Sequence, residues 1–253
     1  MRLSGVLGTA LYFLAMILYN SNPLKHAEYS SENPSLIGLA SARANRLPMV
    51  LLWLMASVTA LFYYFEPGVA QMLEPVRRWQ CEYGAVAAFA TQAFFCGVLP
   101  AIFLLTVKSI RPKHPWIKVA AQTVWCGSWG IVYLWFYALQ SRMFGDGPGV
   151  STLVYKMLFD QFVWTPFIVM PLSSSFFLWL GCDFSFQAAV GRCREGFVRK
   201  IILPNLVSSW CVWIPAVIAV YAFPVSLQVQ MLGFVSSFWA LMCLQIGRRV
   251  ANG

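Results

Sequence analysis

Residues 153–181 read LVYKMLFDQFVWTPFIVMPLSSSFFLWLG. Lys156 and Asp160 stand one helical turn apart, so a helix puts both on one face, where they can form an ion pair with Gln161 beside it. The order, base before acid, is the less favourable one for an isolated helix, so a pair kept here answers to something other than helix stability. Beyond Asp160 about twenty residues pass without a charge, roughly what a helix needs to cross the hydrocarbon core of a bilayer. Pro166 and Pro171 each remove a backbone donor from that stretch. They predict a bend, with neighbouring helices or Ser173 to Ser175 serving the freed carbonyls. An ionised aspartate at a membrane boundary costs free energy unless it is paired or wetted, which makes this stretch the place to look for a site. Two roles stay open for it: a structural pair at the boundary, or the mouth of a solute pathway.

The rest of the chain agrees with a membrane setting. Of its 253 residues 59% are hydrophobic and only 11% charged, with a mean hydropathy of +0.66, whereas about a quarter of a soluble domain is charged. The reading is an all-α, polytopic transmembrane bundle. Its net charge of +9 sits in short loops between apolar runs and reads as topology signals, so no nucleic-acid partner is expected. Seven cysteines form no Cys-x-x-Cys pair, and Cys96, Cys126, Cys182, Cys211 and Cys243 lie in or against apolar runs, as small buried hydrophobes do. The two histidines, His26 and His114, stand in polar loops with no ligand cluster, so neither a metal nor another cofactor is expected.

In chain order, about seven spans are expected. Leu3 to Tyr19 reads as an uncleaved anchor and Leu47 to Phe65 as the second span, closed by Glu66-Pro67-Gly68. Val69 to Tyr83 follows as a short amphipathic connector. In Gly84 to Val107, the third span, Gly84, Ala88, Gln92 and Cys96 recur every fourth residue, a narrow face suited to close helix packing with a polar side chain as glue. Lys108, Arg111, Lys113 and Lys118 crowd the next loop, before the fourth span at Val119 to Leu139. The turn Gly145-Asp146-Gly147-Pro148-Gly149 lacks the lysine and hydroxyl ending of a phosphate cradle and reads as a plain loop.

After the opening stretch, Phe186, Val190, Cys193, Phe197 and Ile201 fall on one helical face, with Arg192, Arg194, Arg199 and Lys200 on others. That pattern predicts one basic amphipathic helix lying in the interface, its partners anionic lipid headgroups, or packed on the bundle. Asn205 to Phe223 and Val225 to Ile246 form the last two spans, separated by Pro224, with Pro215 as a further kink and Trp213 as an interfacial anchor. Lys and Arg number five on the N-terminal side of such a bundle and thirteen on the other, which places the C-terminus in the cytoplasm or matrix.

The segment Lys156-x-x-x-Asp160-Gln161-x-x-x-x-Pro166 with Phe176-Phe177, followed by Trp213-Ile214-Pro215 and Phe223-Pro224, resembles the signature of the Mpv-seventeen and peroxisomal-membrane-protein-twenty-two family. Gln228 stands where that family has an arginine. The likeness covers residues 84–253, which leaves residues 1–83 as an N-terminal extension with two spans. It implies a small channel or solute pathway in a bacterial inner, mitochondrial or peroxisomal membrane, gated by potential, pH or redox state. Physically, such a pathway would use Asp160, Gln161 and the weakly polar face Ser226, Gln230, Gly233 and Ser237 of the last span. A non-conducting helical scaffold, possible as an oligomer, is the alternative, with the same residues as helix glue. No nucleophile elbow, His-Glu-x-x-His or cofactor fingerprint occurs, which points away from an enzyme and leaves a membrane-embedded lipid-acting enzyme as the third reading.

Overall fold

The structure, a computed structural model, describes residues 46–106, 115–194 and 196–237. Every regular element among them is a helix. Helix α1 is Arg46–Phe65 and α2 is Pro67–Tyr83. Helix α3 runs through Ala85–Gln92, a π-helical turn Ala93–Val98 and Leu99–Thr106. Helix α4 is Pro115–Phe144, and α5, Val150–Gly181, is π-helical over Asp160–Val169. Helix α6 is Phe186–Arg194; a π-helical turn, Phe197–Ile202, leads into α7, Leu203–Ala222. Residues 225–237 are helical and are called α8.

Around an apolar core, the described residues expose many large apolar side chains and bury several polar ones. Phe94 and Ile102 of α3, Trp135 of α4 and Phe167 of α5 are exposed, while Gln92, Gln140, Lys156 and Asp160 are buried. Water would penalise both halves of that arrangement, whereas hydrocarbon rewards them, because an apolar medium offers a polar side chain no partner outside the bundle. Three helical stretches are long and apolar enough to cross a membrane: Ala85–Ile102, Val150–Gly181 and Asn205–Ala222. A fourth is added if Val50–Phe65 and Pro67–Tyr83, bent by 102° at Glu66, make one broken span. Helix α4, where the fourth span was expected, is not among them; within Val119 to Leu139 its apolar run is diluted by Gln122 and by weakly polar Trp, Tyr, Gly and Ser residues. The expected span Leu3–Tyr19 lies outside the described residues, as do His26, His114 and Cys243.

Two seams hold α4 in place. Toward α3 the contact is made by small residues: a Cβ on Gly130 would sit 2.2 Å from the Ala88 carbonyl oxygen, and one on Gly97 would sit 2.6 Å from Thr123 Cα. Ala88 is fully buried at the centre of the face that its spacing predicted. Toward α5 the contact is aromatic, with Trp125 stacked on Phe176 at 4.2 Å and Phe136 on Trp164 at 4.2 Å. Helix α1 lies against α7, where Trp53 Nε1 donates to the Val212 carbonyl at 2.9 Å and Tyr64 Oη to that of Ala222 at 2.5 Å.

The prolines of α5 are accommodated by widening within one continuous helix. In π geometry the N–H of residue i reaches the carbonyl of i−5, as Met170 does to Thr165. Pro166 therefore leaves the Gln161 carbonyl without its donor, and Trp210 Nε1 of α7 supplies one at 2.8 Å. A neighbouring helix does serve the freed carbonyl; Ser174 Oγ, the nearby hydroxyl expected to help, is buried without a partner. Pro171 follows where the π-helical stretch passes into Met170–Gly181, inside the continuous helix, and Pro215 lies inside α7. Pro224 marks the break before α8, where Gln228 Nε2 donates to the carbonyls of Phe223 at 2.9 Å and Tyr221 at 3.4 Å. The expected single amphipathic helix is two pieces, because Gly196 at φ 109° turns the chain between α6 and the π turn that follows.

Candidate functional site

Helices α4 and α5 form an antiparallel hairpin with a charge pair at each end. At one end Lys156 Nζ, its side chain 1% exposed, reaches Asp146 Oδ1 at 3.4 Å and Ser141 Oγ at 3.2 Å. Gly145 and Gly147, at φ 85° and 100°, give the loop the left-handed backbone that sets Asp146 over the start of α5. At the other end Lys118 Nζ, 2% exposed, lies 2.6 Å from Asp183 Oδ1, just past the end of α5. The expected pair of Lys156 with Asp160 is not made. Helical spacing lets the two meet, but a lysine near a helix end gains more from a solvent-accessible loop carboxylate than from one sunk in the bundle. Lys118, read as a loop charge, stands inside α4.

Asp160 is 4% exposed. Tyr221 Oη donates to its Oδ2 at 2.6 Å and Thr165 Oγ1 to its Oδ1 at 3.1 Å. Among the described residues no lysine, arginine or histidine lies within ion-pair distance of it. The carboxylate faces a cavity of about 210 Å³ enclosed by α3, α4, α5, α7 and α8, room for on the order of ten waters. The α4 wall runs from Trp125 to Tyr137, about 18 Å at the helical rise, so the cavity is a narrow slot along the bundle axis.

The other sequence-predicted residues divide. Gln161, buried beside Asp160, lines the slot, and its Oε1 has no partner. Gln92 also lines it while donating to the Val229 carbonyl at 2.9 Å, so it is glue between α3 and α8. Gln230 bonds Gln80 of α2 and Ser237 Oγ donates to the Phe234 carbonyl at 2.8 Å; both are buried outside the slot. Gly233 is a contact surface, where a Cβ would sit 3.2 Å from Phe95 and Thr91. Trp213, expected as an interfacial anchor, is a half-buried wall of the slot because its face of α7 also carries Ser209 and Val217 toward α5. Arg194 and Arg199 are exposed and Arg192 half-buried, away from the slot.

Sequence reading missed three contributors: Asp146, Tyr221 and the aromatic face of α4. Trp125, Trp129, Tyr133 and Tyr137 recur every fourth residue with ring centroids 6.0, 5.6 and 5.7 Å apart, a spacing visible in the sequence. Tyr221, sixty-one positions beyond Asp160, had no local signal. No group of three or more His, Cys, Asp or Glu side chains among the described residues could hold a metal ion. No family model matches the sequence, no curated protein is detectably similar to it, and no solved structure matches it.

Proposed function

We propose that the protein is a small channel of an organellar or bacterial inner membrane, with the slot beside Asp160 as its narrow part, as the resemblance to the Mpv-seventeen and peroxisomal-membrane-protein-twenty-two family implies. One observation carries the reading: a buried carboxylate with no cation partner among the described residues opens on a cavity aligned with the helices. A fixed carboxylate in a narrow, low-dielectric passage favours cations over anions. In this reading α4 crosses the membrane with α5. The C-terminus lies on the cytoplasmic or matrix side, since moving Lys118 and Lys156 from loops into helices takes one charge from each side of the count. Arg192, Arg194, Arg199 and Lys200 then meet anionic lipid.

Single-channel recording of the purified protein in planar bilayers tests this. Asp160→Asn should leave a folded protein whose cation preference is reduced. A wild-type protein that never conducts would overturn the reading in favour of a non-conducting scaffold, which the Gln92–Val229 and Gln230–Gln80 bonds between helices support.

A further inference from the structure

We propose that the slot is a binding site for a primary alkylammonium ion, with the ammonium group held between Asp160, Gln161 and Tyr137 and the alkyl chain lying along the aromatic face of α4. The proposal builds on the pathway reading by naming its solute class. An alkylammonium group carries one positive charge and three N–H donors. The slot offers what that group needs: a carboxylate without a cation, and two buried acceptors without a partner, Gln161 Oε1 and Tyr137 Oη. The three belong to one neighbourhood. Gln161 adjoins Asp160, and Tyr137 packs edge-on against Tyr221 at 5.4 Å, whose hydroxyl donates to Asp160. The Asp160 oxygens each accept a hydrogen bond from a neutral hydroxyl and the Gln161 amide adds a third neutral donor, which leaves the carboxylate a lone-pair direction for an ammonium N–H.

The remainder of the wall selects against other ligands. From Tyr137 the rings of Tyr133, Trp129 and Trp125 continue along α4 at 5.7, 5.6 and 6.0 Å, and Trp213 adds a ring from α7. Ring faces attract organic cations and cover alkyl carbon, but they cannot replace the oxygen shell of a small inorganic ion. A hard divalent cation such as calcium or magnesium needs six or more oxygen ligands with several charges among them, and here one carboxylate stands with neutral amides and hydroxyls on one side and rings on the other. An anion would meet the Asp160 charge with no basic group among the described residues that line the slot to offset it.

The test is titration calorimetry of the full-length protein in nanodiscs with n-butylammonium, against n-butanol, butyrate and potassium as controls. Butylammonium should bind saturably, and each control at least about tenfold more weakly, the loss expected when a charge-assisted contact or the alkyl chain is removed. Asp160→Asn should weaken butylammonium by about tenfold or more, and Trp129→Leu, at a half-buried wall position remote from the carboxylate, by several-fold. Equal binding of butanol or potassium, or unchanged affinity in Trp129→Leu, would overturn the site even if Asp160→Asn fails to fold. Flux assays in proteoliposomes separate the two claims: butylammonium binding without any flux removes the pathway and keeps the site, whereas conduction of other solutes without butylammonium binding removes the site and keeps the pathway.

Discussion

Helix α4 packs its two sides by opposite means. Against α3 it presents Gly130 to the Ala88 carbonyl and Thr123 to Gly97, which brings backbone to within van der Waals reach of backbone, while Gly127 makes room for the Phe89 ring. Against α5 it presents Trp125, Phe136 and the rest of its aromatic ladder, whose rings hold the helices far enough apart to leave the slot. If α4 lies in a bilayer, as the proposed function has it, no hydrophobic force closes either seam, and shape and satisfied polar atoms decide. Small residues give the tightest contact and tolerate no added atom. Large flat rings give contact over area while leaving space where they do not interlock, and that space is where the unpaired carboxylate is found.

The largest expected effect tests the tight seam. Gly130→Ala places a methyl group 2.2 Å from the Ala88 carbonyl oxygen, and because backbone cannot rotate away the cost should be about 3 kcal/mol. Gly191→Ala in α6, where nothing lies within 4 Å, should instead stabilise by up to about 1 kcal/mol through helix propensity. Reversible unfolding in bicelles reads both, and equal stability of the two variants would dissolve the distinction between the seams.

The next effect tests what pins the looser seam at its ends. Asp146→Ala leaves Lys156 buried with only Ser141 Oγ for a partner, which should cost about 2 kcal/mol, less than for a fully buried pair because Asp146 itself is exposed. Lys156→Met removes the charge that needed compensation and should cost less than Asp146→Ala; the reverse order would mean that Lys156 is wetted. Thermal melting of the two variants and their combination, whose loss should not exceed that of Lys156→Met by much, settles it.

The smallest effect lies at the π-helical stretch. Trp210→Phe takes the donor from the Gln161 carbonyl and should cost about 1 kcal/mol. In a Pro166→Ala background the restored backbone N–H can serve that carbonyl, so the same change should cost less there. Additive losses in the double-mutant cycle would mean that Trp210 acts through its ring contact with Phe162, 5.1 Å away, rather than through its hydrogen bond.

Composition and periodicity were enough to read an all-helical chain with helices fit for a membrane, the small face through Ala88 and Gln92, and the break at Pro224, because each of these is written in residues adjacent along the chain or one helical turn apart; at Pro166 the expected bend is instead a π-helical widening. Lys156 and Asp160 show where that reading stops. Their spacing says only that the two can meet; which partner each takes depends on a loop folding back over the start of α5 and on Tyr221 arriving from α7. The same holds for the ladder from Trp125 to Tyr137, whose spacing is in the sequence although the helices it faces are not. Secondary structure follows from local propensities, but a buried charge takes the best partner in three dimensions, and only the tertiary structure decided that Lys156 would be paired outside the slot and Asp160 left inside it with no cation among the described residues.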